Sequence, residues 1–135
     1  MTRVPILSPT IEDVRRWCVI AANAASEKKG EETVILAVGP ILAITDAFVI
    51  TSGANARQVR TITEEIEDKV KADGGPAPLR IEGLDDARWV LMDYGDFVVH
   101  VFLDEVRRFY DLERLWADAE RWSWEELQPA GLQVL

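Results

Sequence analysis

The sequence predicts a single two-layer α/β domain in which helices lie against a mixed β-sheet of about five strands. The first observation is the order of the elements, because helical and strand-like patterns follow one another as helix, two strands, helix, three strands, helix and tail. The second is size, since 135 residues that are 48% hydrophobic suffice to bury one core. The third is that no internal repeat or low-complexity segment divides the chain.

The first half of the chain contains a helix followed by two strands. The helix is predicted over residues 10–27, because Thr10 and Asp13 form a capping box in front of an apolar stripe at helical spacing. After "KKGEE", the segment "TVILAV" at 33–38 is rich in β-branched residues, and "DAFVITSG" follows at 46–53. Both segments are predicted to be strands.

The second half contains a helix, three strands and a last helix. Asn55 is the predicted N-cap of a helix whose apolar stripe is formed by Val59, Ile62, Ile66 and Val70. The segment "LRIEG" resumes as a strand after a Gly- and Pro-rich loop. Residues 88–92 and 97–102 flank a short acidic turn and predict an antiparallel hairpin. One long helix, "EVRRFYDLERLWADAE", is predicted to start near Asp104.

The charge balance restricts the partners of this chain. With 15 basic and 24 acidic residues, its net charge is −9, and such a chain repels phosphate. We therefore expect no extended direct binding to nucleic acid. An acidic domain is suited instead to docking on a basic protein.

The sequence also indicates where the protein works. Cys18 is the single cysteine, so no internal disulfide forms, which fits a reducing cytoplasm. Its position on the apolar stripe of the first helix predicts a small buried side chain. The apolar N-terminal patch is too short for a signal peptide, and no run reaches the ~18 apolar residues of a membrane helix. We expect a soluble cytoplasmic protein with no membrane partner.

No residue pattern predicts catalysis, a metal site or a cofactor. Ser52 follows a strand but has no base near it in sequence. His100, the only histidine, lies between valines, which is typical of a packed and hydrogen-bonded side chain rather than a general base or metal ligand. Asp93 and Asp96 flank the hairpin turn, where aspartates accept hydrogen bonds from nearby amides. A second role of these aspartates, as charged contacts for a partner, stays open.

Both faces of the predicted hairpin are apolar. Val90 and Met92 lie on one side of the first strand, and Trp89 and Leu91 lie on the other. The predicted helices need not cover both sides of the sheet, and an uncovered apolar face that includes tryptophan is typical of a protein interface. The alternative that all these residues form ordinary core stays open.

Four segments of this sequence, "DAFVITSG", "RQV", "PLRIEGLDDARWVLMDYGDFVVHVF" and "VRRFYDLERLW", resemble the ribosomal silencing factor family, which is also called Iojap-like or RsfS. The similarity extends over about residues 10–118. It implies one silencing-factor domain at 10–118, with an N-terminal extension at 1–9 and a C-terminal extension at 119–135. The C-terminal extension carries Trp122 and Trp124, which either fold back onto the domain or strengthen a dimer.

The resemblance implies a function for this chain. Family members bind large-subunit ribosomal protein fourteen at the intersubunit face, block joining of the small subunit, and so repress translation when nutrients are short. They often form homodimers and are not known as enzymes. Relatives in organelles act in large-subunit assembly, which is the first alternative.

A second alternative follows from the implied fold, which is similar to that of nucleotidyltransferases. Those enzymes hold metal ions with an acidic pair on a strand. The acidic pairs here, Glu65/Glu67, Asp111/Glu113 and Asp118/Glu120, all lie on predicted helices. Catalysis by inheritance is therefore not expected, although a degenerate member that binds nucleotide remains an alternative.

The docking role implied by the resemblance is assigned here to seven residues. Trp89 is the expected apolar anchor, and the two aspartates are expected to pair with lysine or arginine of the partner. We expect the substitution Trp89→Glu to abolish docking and to leave the fold intact. The seven residues are Trp89, Met92, Asp93, Asp96, Tyr110, Leu112 and Trp116.

Overall fold

A computed structural model describes residues 9–125 of the chain. The helices are α1 (Ile11–Glu27), α2 (Ala56–Ala72), α3 (Asp104–Tyr110) and the one-turn α4 (Leu112–Leu115). The strands are β1 (Glu31–Ala37), β2 (Ala47–Gly53), β3 (Arg80–Glu82), β4 (Trp89–Asp93), β5 (Phe97–Leu103) and β6 (Glu120–Trp122). The predicted α/β class with a mixed sheet is confirmed, with six strands instead of about five.

The six strands form one sheet in the order β3-β4-β5-β2-β1-β6. β2 and β5 pair in parallel at its centre, and the other neighbouring strands pair antiparallel. The predicted hairpin of β4 and β5 is confirmed, with Leu91 opposite His100. The N-cap predictions are also confirmed, because Thr10 Oγ1 accepts from the Asp13 amide over 3.1 Å and Asn55 Oδ1 accepts from the Gln58 amide over 2.8 Å.

The two long helices cover one face of the sheet. α1 and α2 pack on each other and bury the strand side chains that point toward them, among them Val49, Val90 and Val99. Cys18 is buried in this core, and burial raises the pKa of its thiol, as expected for a small packed side chain and not for a reactive one.

The opposite face of the sheet, which we call the second face, is only partly covered. It carries the strand side chains that point away from α1 and α2, and α3 and α4 pack on part of it. Leu36, Ile50 and Phe102 are buried there, whereas Leu91 and Val98 are only half-buried. Its side chains are Leu36, Phe48, Ile50, Trp89, Leu91, Val98, His100 and Phe102.

The single long helix predicted from residue 104 is wrong. Asp111 adopts left-handed backbone angles (φ 52°, ψ 55°), which separates α3 from α4. Aspartate is one of the few residues that tolerate this conformation, and periodicity does not reveal it. The break turns the chain back toward the sheet, where residues 120–122 add β6 beside β1.

The described part of the C-terminal extension folds back onto the domain. Trp122 is buried against the core under α1, and Trp124 Nε1 donates to the Thr33 carbonyl over 3.0 Å. Of the two alternatives for these tryptophans, the structure favours packing on their own domain. The N-terminal extension up to residue 8 and the C-terminal residues from 126 onward lie outside the described residues.

Candidate docking surface

Trp89 lies at the start of β4 on the second face, where two other aromatic rings hold its indole. Its ring centroid is 4.8 Å from that of Phe102 and 4.7 Å from that of Tyr110 at the end of α3. Trp89 is half-buried, whereas Tyr110 is 51% exposed. Rigid aromatic rings of this kind present apolar area at little entropic cost, which is typical of anchor residues in protein interfaces.

His100 is packed beside Trp89. Trp89 Nε1 donates a hydrogen bond to His100 Nδ1 over 3.1 Å, and the imidazole meets the Phe48 ring at a near-perpendicular angle of 77°. Burial lowers the pKa of His100 from 6.5 to about 4, so the ring is neutral at pH 7. Since Nδ1 is an acceptor, the proton of the neutral ring is on Nε2. The prediction of a packed, hydrogen-bonded histidine is confirmed.

The low pKa of His100 predicts a pH-dependent stability. The unfolded chain takes up a proton at this residue near pH 6.5, whereas the folded protein does so only near pH 4. The free energy of unfolding should therefore be independent of this group above pH 6.5 and fall by up to about 3 kcal/mol between pH 6.5 and 4. Urea denaturation at a series of pH values measures this loss.

The His100→Asn variant is the control for this experiment, because carboxylates also titrate at the lower end of the range. Asparagine keeps an acceptor for Trp89 Nε1 and does not itself titrate. The wild-type stability should fall more steeply than that of the variant as the pH is lowered. Parallel profiles would contradict the burial of a neutral His100.

A groove of about 370 Å³ opens on the second face beside His100. Phe48, Leu91 and Val98 from the sheet contribute apolar side chains, and the loops before β2 and β3 contribute Ile44 and Leu79, which are 82% and 74% exposed. Contiguous exposed apolar area of this kind is typical of binding surfaces. The groove is lined by Leu42, Ile44, Thr45, Phe48, Leu79, Arg80, Leu91, Asp93, Gly95, Val98 and His100.

Of the two aspartates that flank the hairpin turn, Asp93 lines the groove and Asp96 lies in the adjoining turn. Asp93 Oδ1 accepts from the Gly95 amide over 2.8 Å, which confirms turn chemistry for this residue. Its other oxygen lies 3.4 Å from Arg80 Nη2. The Asp96 carbonyl accepts from the Asp46 amide over 2.8 Å, which ties the turn to the start of β2. Both aspartates are half-buried, so each retains accessible surface.

Arg107 fixes the short helices on the second face. Its guanidinium is buried and donates to the carbonyls of Glu31 and Glu32, to Ser52 Oγ and to Glu113 Oε2, the last over 2.6 Å. A charge buried in this way is stabilised because both terminal nitrogens of the guanidinium donate to acceptors, one of them a carboxylate. Arg107 thereby joins α3 and α4 to the ends of β1 and β2.

The surroundings of Ser52 and of the potential metal ligands are defined within residues 9–125. Ser52 is buried, accepts a hydrogen bond from Arg107 and donates one to the Glu31 carbonyl, so its hydroxyl is engaged in structural contacts. Across residues 9–125, no three histidine, cysteine or acidic side chains come together as metal ligands. In the same range, every helix is too short or too polar to cross a membrane.

Comparison with known proteins identifies the family of this chain. The model of the family described as "Ribosomal silencing factor during starvation" matches residues 11–133. The chain belongs to this family. The ribosomal silencing factor RsfS of Halalkalibacterium halodurans is 45% identical over 100 residues, which cover 74% of this chain and 85% of that protein. RsfS of Bacillus subtilis is 43% identical over 100 residues, which cover 74% of this chain and 84% of that protein.

A solved structure supports the fold of this silencing-factor family member. The crystal structure of a protein from Chromobacterium violaceum matches it with a TM-score of 0.73 and 31% sequence identity. The match covers 77% of this chain and 86% of that one. The matched relatives are named as silencing factors, and those names include no enzymatic activity. The resemblance predicted from the sequence is confirmed.

Met92 was wrongly assigned to the docking residues of this silencing factor. Its side chain is 0% exposed and lies in the core under α1 and α2, on the face opposite Trp89. Strand alternation had already placed the two residues on different sides of β4. Met92 therefore cannot contact a partner on the second face.

The other assigned residues lie at or beside the second face. Tyr110 contacts Trp89, and Trp116 meets the Phe48 ring at 90° with centroids 5.7 Å apart. Leu112 and Trp116 are half-buried and pack against the residues under α3 and α4. The structure thus brings Trp89, Asp93, Tyr110, Leu112 and Trp116 to one side of the sheet, with Asp96 in the adjoining turn.

Sequence reasoning missed several residues of this surface. Ile44 and Leu79 lie in loops, where no periodicity marks an apolar side chain as part of a patch. The "E-G" pair of the resemblance did mark one position that matters for Trp89. Gly83 has φ +92°, and a Cβ there would lie 2.2 Å from the Trp89 carbonyl. Gly83 therefore allows the close approach of backbone that positions β4.

Proposed function

We propose that this chain represses translation by docking its second face on the large ribosomal subunit, through large-subunit ribosomal protein fourteen. A domain bound there blocks joining of the small subunit when nutrients are short. The proposed site of action is the cytoplasm. The observation that carries this proposal is the apolar surface around Trp89 in a member of the silencing-factor family.

The extent of the exposed apolar area supports a protein partner. Single exposed hydrophobic residues are ordinary, whereas a continuous set of them is typical of an interface. Here Ile44 and Leu79 line the groove beside His100, and ring contacts then lead from His100 through Trp89 and Tyr110 to Phe109, which is 80% exposed. An exposed apolar groove with aromatic side chains beside it suits a folded protein partner.

Charge supports a basic partner. The chain has a net charge of −9, the half-buried Asp93 lines the groove, and the half-buried Asp96 lies in the adjoining turn. Complementary charge accelerates encounter and orients the two partners, while the apolar centre supplies most of the affinity. A basic ribosomal protein fits both requirements.

The proposed mechanism is steric and requires no chemistry. A bound domain occupies space that the small subunit would otherwise fill, so neither cofactor nor metal takes part. Repression then depends only on the affinity of the second face for its partner and on the concentration of the protein.

The test is co-sedimentation of the purified protein with separated large and small ribosomal subunits. We expect pelleting with the large subunit only, and a smaller fraction of joined ribosomes when both subunits are present. Leu79→Asp should raise the Kd for the large subunit by at least about tenfold, because it places a charge in an apolar contact. Leu79 is 74% exposed, so the fold should be retained.

Ile11→Asp is the matched control. Ile11 is 54% exposed and begins α1, which packs on the opposite face of the sheet. This variant should bind like the wild-type protein. Pelleting with neither subunit, or equal weakening by both substitutions, would refute docking through the second face. Binding to the large subunit without any effect on joining would favour the assembly role instead.

A further inference from the structure

Two buried polar atoms at the groove have no hydrogen-bond partner within the protein. They are His100 Nε2 and Thr45 Oγ1, and both residues line the groove. His100 is 5% and Thr45 is 8% exposed. Over residues 9–125, one other buried side-chain oxygen or nitrogen is unpaired, the hydroxyl of Tyr94, which lies on the face under the long helices. The unpaired atoms of the second face are thus concentrated at one place.

The imidazole of His100 is held in one orientation. Its Nδ1 accepts from Trp89, which does not line the groove, so we assign the opposite edge of the ring, with Nε2–H, to the groove side. The edge contact with Phe48 restricts rotation of the ring. A donor with a defined direction is therefore present among apolar walls, as in sites that select a ligand by one or two polar contacts.

Buried donors without acceptors are unfavourable, and proteins rarely retain them without a use. Thr45 precedes β2, and the hydrogen bond from its amide to the Leu42 carbonyl is weak, because the two atoms are 3.5 Å apart. The neighbouring Ile44 is 82% exposed. Both atoms are buried in the free protein, so a partner can reach them only if this loop moves outward.

We propose that the groove binds an uncharged hydrogen-bond acceptor next to an apolar side chain, specifically a backbone carbonyl of the ribosomal protein partner. His100 Nε2–H and the Thr45 hydroxyl donate to this oxygen, and Leu42, Leu79 and Val98 contact the adjacent apolar side chain. An anionic acceptor is disfavoured, because the chain is strongly acidic and the one arginine of the groove lining, Arg80, is already paired with Asp93. This inference rests on the proposed function, whose site it deepens.

Thr45 provides the first test, with the large ribosomal subunit as the binding partner. Thr45→Val keeps the shape and removes the hydroxyl, whereas Thr45→Ser keeps the hydroxyl. We expect Thr45→Val to raise the Kd about tenfold and Thr45→Ser to change it by less than about threefold. The thermal midpoint of the free Thr45→Val protein should be equal to or above that of the wild type, because the hydroxyl has no partner before docking.

His100 provides a second matched pair. The glutamine of His100→Gln is long enough to put its amide nitrogen where Nε2 lies, so the donor to the groove is kept. The acceptor for Trp89 Nε1 is lost in this variant. In His100→Asn, the amide oxygen stands in for Nδ1, and the groove donor is lost. We expect His100→Asn to weaken binding more than His100→Gln. The reverse order would mean that His100 acts only by holding Trp89, and would overturn the proposed contact.

The outcomes separate this inference from the proposed function. If the wild-type protein does not bind the large subunit, the proposed function fails and the inference fails with it. If the wild type binds, Leu79→Asp weakens binding, and Thr45→Val binds as the wild type does, only the inference is overturned. In that case, His100 Nε2 and Thr45 Oγ1 would form hydrogen bonds with water in both the free and the bound protein. A lower midpoint of free Thr45→Val would likewise show that the hydroxyl already has a structural role.

Discussion

Trp89→Glu is expected to abolish binding to the large ribosomal subunit and to lower the free energy of unfolding by about 2–3 kcal/mol. Trp89 contacts Phe102 and Tyr110 and donates to His100. The substitution removes this packing, leaves the acceptor of His100 unpaired, and places a carboxylate in the centre of the proposed interface. Titration of the large subunit with labelled protein, alongside urea denaturation, measures both effects.

The sequence-based prediction that Trp89→Glu abolishes docking and leaves the fold intact stays a prediction, to which the structure adds an expected loss of stability. Because the indole is half-buried, some stability is lost with it, while β4 remains paired on both sides by backbone hydrogen bonds. Trp89→Phe is the control, since it keeps an aromatic ring between Phe102 and Tyr110 and should retain most of the binding. A folded Trp89→Glu protein that still binds would remove Trp89 from the interface.

Arg107→Met should lower the free energy of unfolding by about 3 kcal/mol, the second large effect. The guanidinium is 5% exposed, and its loss leaves Glu113 and the carbonyls of Glu31 and Glu32 without their donor. The stability of Arg107→Lys should lie between those of the wild type and Arg107→Met, because an ammonium group keeps the charge but cannot reproduce the planar set of donors. Chemical denaturation followed by circular dichroism gives the difference.

Arg108→Met is the control for this substitution. Arg108 is the next residue on α3 but is exposed, and its replacement should change the stability by less than about 0.5 kcal/mol. Since α3 and α4 carry Tyr110 and Trp116, Arg107→Met should also weaken binding to the large subunit, whereas Arg108→Met should not. Equal stabilities of the two variants would show that Arg107 does not hold these helices.

Local patterns predicted most elements of the fold. The capping residues Thr10 and Asn55 marked the starts of the long helices, and the acidic turn marked the β4–β5 hairpin. These features depend on hydrogen bonds between residues close in sequence, so the sequence reveals them directly. The two sides of β4 were predicted for the same reason, because neighbouring side chains of a strand alternate.

Long-range contacts were not predictable in this way. The pairing of β6 with β1 and the role of Arg107 depend on segments that are far apart in the chain, and no periodicity marks the left-handed conformation of Asp111. Met92 was misassigned because composition marks it as a suitable interface residue, whereas its burial depends on where α1 and α2 lie. Ile44 and Leu79 join one surface only because their loops meet beside the same part of the sheet.

The sequence by itself determined the family, the α/β class and the acidic character of this protein, because motifs, periodicity and charge are properties of the chain. Only the tertiary structure decided which face of the sheet remains open, since that depends on the packing of α1 and α2 on one side and of the short helices on the other. It also decided that His100 and Thr45 share one groove, because strand pairing and a loop bring together residues that are 55 positions apart.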